Sequence, residues 1–509
     1  MKTYLFYIKT TIKNSLFLFA LLFMSFLTYK VYGAISISVS YFTSVYIYGI
    51  ICFNLFLLTA STYTMLNSST VLRFLERDKL KKQYALIVSC TIITLFIALF
   101  PIVLMLSFKN DLTPPIFLLK GMAHFLIIWL LSNLLAAVIG SSISLLVRNK
   151  FAYLLSLLVY GWFVWMSMHS PAKPINRYLN IFDDSTYILS NNISGPLFNR
   201  NYFLDKLFLI LVLFLLIFLV RSVVASRKRA INYLILGGLI ISVCVLPIWS
   251  HANHQIVRIP ADQTAKSPYE IQKYTMNLEL TNKLKNKAAI IINFPKDSKD
   301  IVLALDDIFV VKNLKLDHQP VSFTHKNNVV TIPSSHKHGE SITLTMEYEG
   351  FVDVINDIGV NTYYVTKSAI NLPGYFFDWY PNIKGQGPVD FDVSIDAAAK
   401  VYSNIPAASS NERHLTGSSN SLNLFTGQYQ QVQSEQIQYI IPISDNIDGF
   451  KSSFQSSIDT IPEHAGLSKE DLFILKNKNY TRVIVSIWPF EINSHSVQVI
   501  GDTVLVNYN

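Results

Sequence analysis

Apolar runs of about 20 residues, the length at which a helix crosses the hydrocarbon core of a bilayer, dominate the first half of the chain. Seven of them lie near residues 15–33, 42–66, 85–107, 116–147, 151–169, 204–225 and 231–249. In lipid such segments have one low-energy solution, because a helix satisfies every backbone N–H and C=O without water. The expected fold begins as an α-helical membrane bundle of about seven spans over residues 15–250. Lys2, Lys9 and Lys13 precede the first run as they would a secretory signal, but further spans follow and no small-residue cleavage pattern intervenes, so the run is read as retained.

Charge separates the two halves of the chain. Up to Ser250 there are 21 Lys+Arg and 6 Asp+Glu, a net of +15; beyond it there are 21 and 27, a net of −6. The basic excess therefore belongs to the membrane half and argues for no nucleic-acid partner. Its placement sets an orientation. Arg73 to Lys82, Arg148 to Lys150 and Arg221 to Arg229 are basic connections expected on the cytoplasmic side, with the N-terminus. Six spans return the chain inside and the seventh, Ile231 to Ser250, carries it out, so the C-terminal half is expected outside a bacterial cell membrane. All three cysteines, Cys52, Cys90 and Cys244, fall in apolar runs. The outer half has no disulfide framework and no cysteine zinc site, which fits the exterior of a Gram-positive bacterium.

Three details of the membrane half bear on function. In residues 1–14, Leu5, Ile8 and Ile12 share a helical face apart from Lys2, Lys9 and Lys13, as in a helix lying in the inner headgroup layer. A tail that merely obeys the charge rule fits the same residues. Ser132, Ala136, Gly140 and Ser144 recur every four residues, a small-residue stripe on which another helix can pack, first of all one of the same bundle. Lys120 and His124 share a face near an outward span end. Ionisable groups in a membrane are functional candidates, but a lysine at such a position is expected to snorkel to the headgroups.

An inner-surface helix, six spans and a charged loop after the second span resemble the permease subunits of ABC transporters of the ABC type-2 exporter class. In that class the loop between the second and third spans docks on the ATPase. The matching segment is Asn67 to Gln83, in which Ser68 or Ser69 can cap a helix and Leu72, Leu75 and Leu80 offer an apolar face. The resemblance implies an ATPase-coupling role for Arg73, Phe74, Leu75, Glu76, Arg77 and Asp78. A solvated basic loop is the alternative. The chain lacks even a Gly-Lys pair, hence any phosphate-cradling G-x-x-x-x-G-K-[ST]. The resemblance thus implies a separate ATPase subunit, and a second copy or a related permease as partner.

From Tyr274 the period changes to two. TMNLELTN, AAIIINF, IVLALDDIFVVKNLKL, VSFTHKNNVVTI and SITLTMEYEG alternate apolar and polar residues between turn-forming segments, which predicts a mostly-β domain, a sandwich or saddle, over 251–445. Ile342, Leu344, Met346 and Tyr348 are expected inward. So are Val389, Phe391, Val393 and Ile395, leaving Asp390, Asp392 and Asp396 on a solvated face; one flat strand cannot wrap a calcium ion unaided. A small α+β tail is expected over 446–509.

An ordered series of motifs in this half resembles the N-terminal β-domain of the aminopeptidase N family of zinc peptidases. It comprises Gly339, Leu344, Tyr348 and Gly350, with Met346 where the family has an aliphatic residue, then Tyr380 and Pro381, Phe391 to Ile395, and Ser403, Asn404 and Pro406. The likeness covers about Tyr274 to Ile441, and the tail looks like the opening sheet of the family's catalytic domain. The zinc motif H-E-x-x-H is absent, as is the substrate-anchoring G-x-M-E-N. The pair His251 and His254, and the pair His336 and His338, are expected in solvated turns.

No catalytic residue, metal or cofactor is therefore expected, and the chain is not expected to be an enzyme by itself. Tyr375, Phe377, Trp379 and Tyr380 are candidates for a peptide-binding surface, with core packing the other reading. The expected function is a membrane permease subunit of an ABC exporter, moving a peptide or amphipathic compound. The alternatives are a non-transporting receptor or immunity protein binding an extracellular peptide, and the non-catalytic half of a split membrane-bound aminopeptidase.

Overall fold

The computed structural model describes residues 2–32, 42–71, 79–107, 114–169, 178, 180–182, 192–224, 229–252, 255–256, 267–355, 361–383, 385–408, 411–461, 467–489 and 496–507. It divides into a helical unit (1–191, 195–254 and 357–359) and a mostly-β unit (Asn192–Ser194, 255–356 and 360–509).

The helical unit opens with α1 (Lys2–Ile12) and α2 (Ser15–Tyr32). A 62° bend separates them, where Asn14 Oδ1 accepts the N–H of Leu16 and caps α2. Then come α3 (Phe42–Val45), α4 (Ile47–Val71), α5 (Lys79–Ile97), α6 (Leu99–Ser107), α7 (Pro115–Val147), α8 (Phe151–His169), α9 (Arg200–Val224) and α10 (Arg229–Ala252). Among the described residues six helices are long and apolar enough to cross a membrane, α5 and the start of α6 counting as one; the bent α1–α2 pair would make a seventh. The break at Ala98 sits just before Pro101, which has no N–H to continue the ladder. Pro115 opens α7 and Arg148, at φ 53°, closes it. At 1.5 Å per residue, the 33 residues of α7 run about 50 Å.

The core of this unit lies along α4 and α7. A Cβ on Gly140 would meet the Ser61 Oγ at 2.3 Å and the Leu58 carbonyl oxygen at 2.5 Å, so the two backbones approach as only glycine allows. Trp129 stacks on Phe53, ring centroids 5.1 Å apart, and donates from Nε1 to the Thr94 carbonyl at 2.8 Å.

Among the described residues the β unit holds four sheets. The largest contains β2 (Glu270–Leu280), β3 (Leu284–Asn293), β5 (Val310–Leu316), β6 (Gln319–Pro320), β9 (Ser341–Gly350), β13 (Val389–Ala397), β15 (Ala407–Ala408) and β16 (Asn411–Ser419), in the order β15-β16-β13-β2-β3-β9-β5-β6. A three-stranded sheet joins β4 (Ser298–Ala304), β8 (Val329–His336) and β7 (Thr324–Lys326). A six-stranded sheet runs β1 (Gln255–Ile256), β10 (Asp353–Ile355), β11 (Asn361–Val365), β12 (Ile370–Pro373), β17 (Asn423–Thr426), β14 (Tyr402–Ser403). The fourth has β18 (Tyr429–Ser434), β19 (Ile437–Pro442), β20 (Arg482–Ser486), β22 (Thr503–Asn507) and β21 (Val497–Ile500). It is accompanied by α11 (Ile447–Asp459) and α12 (Lys469–Lys476), the latter capped by Ser468 and Asp471.

The alternation read from sequence holds along β9 and β13, where Ile342, Leu344, Met346, Tyr348, Val389, Phe391, Val393 and Ile395 are all buried. Asn327 and Asn328, both at positive φ, form the two-residue turn between β7 and β8. One apolar stretch is divided: IVLALDDIFVVKNLKL supplies β4 to the three-stranded sheet and β5 to the eight-stranded one. The tail's sheet also begins before 446, since β19 pairs in parallel with β20, Tyr439 opposite Val483.

Candidate functional site

The helical unit buries a cluster of polar side chains that an apolar surrounding tolerates only at a cost. It is built on the first two turns of α9 and one residue of α7. Asn199 caps α9 by accepting the Tyr202 N–H at 2.9 Å, which fixes Asn201, Tyr202, Asp205 and Lys206 on the first two turns. Spacing of four residues stacks Asn201 over Asp205 and Tyr202 over Lys206. All four are buried. The Lys206 ammonium sits 5.0 Å from the centre of the Tyr202 ring, a cation–π distance. From α7, His124 brings Nδ1 to 2.9 Å from the Tyr202 hydroxyl. An imidazole and an ammonium thus meet at the Tyr202 side chain, with the buried Asp205 carboxyl on the same two turns of α9. Such a set can pass a proton between groups or hold a polar part of a ligand.

The sequence reading found only one member of this cluster. His124 is not at a wet span end but buried against Tyr202. Lys120, half-buried, has its ammonium 5.6 Å from the Phe117 ring. The missed residues carried a signal, N-Y-x-x-D-K opening an otherwise apolar helix, since an acid and a base one residue apart are rare in a span.

Two further polar stitches lie in the same unit. Asn54 Nδ2 donates to the Tyr160 hydroxyl at 2.8 Å, joining α4 to α8. Gln83 Nε2 donates to Ser142 Oγ at 3.0 Å, joining α5 to α7. The stripe of Ser132, Ala136, Gly140 and Ser144 is buried within the unit, and Ser144 Oγ lies 3.5 Å from the Thr62 carbonyl oxygen across the seam. Its packing partner is therefore α4 of the same chain. The coupling segment Arg73, Phe74, Leu75, Glu76, Arg77 and Asp78 lies outside the described residues, as does His254.

In the β unit the aromatic candidates need correction. Tyr375 is 46% exposed, but Phe377, Trp379 and Tyr380 are buried, Trp379 completely. Apolar area makes them the clasp of the core rather than a surface. Phe377 stacks on Tyr363 at 4.7 Å, and Tyr380 meets Tyr274 edge-on at 5.5 Å. Tyr274 donates to the Pro381 carbonyl at 2.7 Å, and the Tyr380 hydroxyl accepts the Leu422 N–H at 3.1 Å. Burial pushes the phenols of Tyr274, Tyr348 and Tyr380 up, so they stay neutral at ordinary pH.

The Ser403-Asn404-x-Pro406 turn is likewise structural. Asn404 is buried, donates to Ser419 Oγ at 2.9 Å and the Ser421 carbonyl at 2.8 Å, and accepts the Asn423 N–H at 2.9 Å. His336 departs from the solvated turn expected of it. It is buried, stacked 4.4 Å from the Phe294 ring, with Ser334 and Glu340 on its two nitrogens at 2.7 and 3.1 Å. His338 is exposed. Asp392 on β13 accepts from His414 at 2.7 Å and pairs with Lys273 at 3.7 Å. Among the described residues no three His, Cys, Asp or Glu side chains gather as a metal site would need.

No known protein family and no curated protein matches the chain. Among solved structures, an M1 zinc metallopeptidase from Deinococcus radiodurans is similar at 13% identity and a TM-score of 0.32, over 48% of this chain and 61% of that one. A two-domain M1 zinc metallopeptidase bound to L-arginine gives 12% and 0.33 over the same shares. The chain thus spans less than two thirds of either structure, and at these scores neither likeness bears on what it does.

Proposed function

We propose that the chain is a membrane permease subunit of an ABC exporter, driven by a separate ATPase subunit and moving a peptide or amphipathic compound. The observation that carries this reading is the bent α1–α2 pair at the head of a bundle of long apolar helices. Helix α1 has two apolar sides. One, with Tyr7 buried and the Tyr4 carbonyl accepting from Ser89 Oγ at 3.2 Å, packs on α5. The other leaves Leu5, Phe6 and Ile12 exposed beside Lys9. A helix held against a bundle with a bare apolar side and a lysine suits a headgroup layer, and the 62° turn then directs α2 across the membrane.

In this reading the outer apolar surface of the helices supplies the lipid contact, and the buried His124, Tyr202, Asp205 and Lys206 supply a polar locus that cargo or a proton can use. The nucleotide chemistry lies elsewhere, because the sequence has no phosphate-binding loop. In this reading the N-terminus is cytoplasmic, the β unit is extracellular, and a second permease completes the transporter.

The test is affinity purification from native membranes with identification of what accompanies the chain. The expected result is an ABC ATPase whose hydrolysis rises on reconstitution and falls when Arg73 to Asp78 is replaced by Gly-Ser. If no ATPase accompanies the chain, or the replacement leaves hydrolysis and export at wild-type levels, the proposal fails.

A further inference from the structure

One end of the three-stranded sheet, which the permease reading leaves unused, carries a serine, a histidine and a glutamate in series. Ser334 and His336 lie two apart on β8, the spacing that returns side chains to one face of a strand. Ser334 Oγ is 2.7 Å from His336 Nε2, and His336 Nδ1 is 3.1 Å from Glu340 Oε2. A carboxylate can only accept, which places the ring proton on Nδ1 and leaves Nε2 as the acceptor for the serine hydroxyl. Nucleophile, base and orienting acid thus stand in the order that nucleophilic catalysis requires.

Local structure holds the three in place. The register of β8 against β4 passes from Pro333 opposite Asp300 to His336 opposite Ser298, so β8 carries an extra residue there. Such a bulge bends the strand and re-aims its side chains, here those of Ser334 and Ser335. Gly339, at φ 85°, turns the chain back after β8, a conformation that suits glycine. Its N–H donates to the Phe294 carbonyl at 2.8 Å, and the Phe294 N–H donates to the Glu340 carbonyl at 3.0 Å. Those two bonds return Glu340 to the side of His336. The Phe294 ring stacks on the imidazole at 4.4 Å and 25°, which fixes the plane of the base. His336 is buried, Ser334 half-buried and Glu340 exposed, so the base is shielded while the serine stays partly open to solvent.

We propose that Ser334 is a reactive nucleophile that takes acyl groups from carboxylic esters, with His336 as its general base and Glu340 as a positioning residue. As Ser334 Oγ forms its bond to the ester carbonyl carbon, its proton passes to His336 Nε2. That proton leaves with the alcohol as the ester C–O bond breaks. Water then adds to the acyl carbon and gives a proton to Nε2, which returns it to Oγ as the Oγ–C bond breaks. One ester and one water thus become one acid and one alcohol. The activity stands apart from transport, because the three residues lie at one sheet end of the β unit and turnover consumes only ester and water.

The test uses the purified full chain in detergent, a fluorophosphonate probe located by peptide mass spectrometry, and para-nitrophenyl acetate as the ester. The expected result is a covalent label on Ser334, with its exposed neighbour Ser335 unlabelled. Ser334→Ala should abolish labelling and ester turnover, and Ser335→Ala should leave both unchanged. His336→Ala should slow both by about hundredfold or more. Part of that loss should return with imidazole in the buffer, a rescue that lost packing on Phe294 would not give. Glu340→Gln should lower kcat by about tenfold or more with KM unchanged. If thermal melting shows His336→Ala unfolded, His336→Gln takes its place. No label on Ser334 in the parent, or label on Ser335 instead, overturns the proposal. Labelling at the parent rate in the folded His336 variant overturns the general base, and an unchanged kcat in Glu340→Gln overturns the positioning role.

Discussion

The two units each bury an apolar core but differ in their exteriors. In the helical unit large apolar side chains face outward, Phe96 at 71% exposed and Leu234 at 77%, while His124, Asp205, Lys206 and Asn54 are buried. In the β unit the core is apolar, and the outer face of the eight-stranded sheet carries ion pairs, the cross-strand Lys287 with Glu347 at 3.1 Å and, from the β2–β3 turn, Lys283 with Glu349 at 2.6 Å. The two exteriors thus differ in chemistry, one largely apolar and the other charged. An apolar exterior is an aggregation hazard in water and the natural surface in lipid, whereas a charged exterior is the reverse.

That contrast can be attacked from both sides. The largest effect is expected at the β unit's centre: Trp379→Ala should destabilise it by about 3–5 kcal/mol, seen as lost protease resistance of the C-terminal fragment while α4 and α7 stay protected. Next is the exterior of the helical unit. Ile241 on α10 is 64% exposed, and Ile241→Arg should cost about 2.5–3.5 kcal/mol of insertion if its solvent is hydrocarbon. Normal membrane yield of that variant would place α10 in water and undo the comparison.

A smaller effect is expected inside the bundle. Tyr202→Phe removes the hydroxyl that meets His124 and should lower stability by about 1 kcal/mol, read as a lower melting temperature in detergent. The smallest lies on the β unit's wet face. The hydrogen bond from His414, followed by the charges of His414 and Lys273, holds the Asp392 carboxyl below its ordinary value. A carboxyl depressed in the folded state stabilises above its unfolded pKa, and that contribution disappears as pH falls through the folded value. Asp392→Asn should therefore change stability by no more than about 1 kcal/mol at neutral pH, as for other exposed pairs, and by nothing once the wild-type carboxyl is protonated. An undiminished difference in acid would remove the ion pair as its cause.

Local periodicity made much of this legible. The apolar runs read as spans correspond to α2, α4, α5 with α6, α7, α8, α9 and α10, because a helix closes its hydrogen bonds within its own segment. The alternation in SITLTMEYEG gave the inward face of β9 for the same local reason. Residues whose role depends on a distant partner were not legible. His124 looked like a span-end residue until Tyr202, 78 positions away, was placed beside it. Trp379 and Tyr380 looked equally suited to surface and core, since aromatic rings serve either.

By itself the sequence determined most of where the chain is helix and where it is strand, and which half is the more apolar, since those properties follow from residue types at fixed short spacing. Only the tertiary structure decided that β2 lies parallel to β13 across more than a hundred residues, Tyr274 opposite Phe391. It alone assigned the hairpin β18–β19 to the tail's sheet, and it placed Ile193 in a core otherwise made after residue 254. Long-range pairing is settled by complementary shape and by backbone groups left to be satisfied, and neither leaves a period in the sequence.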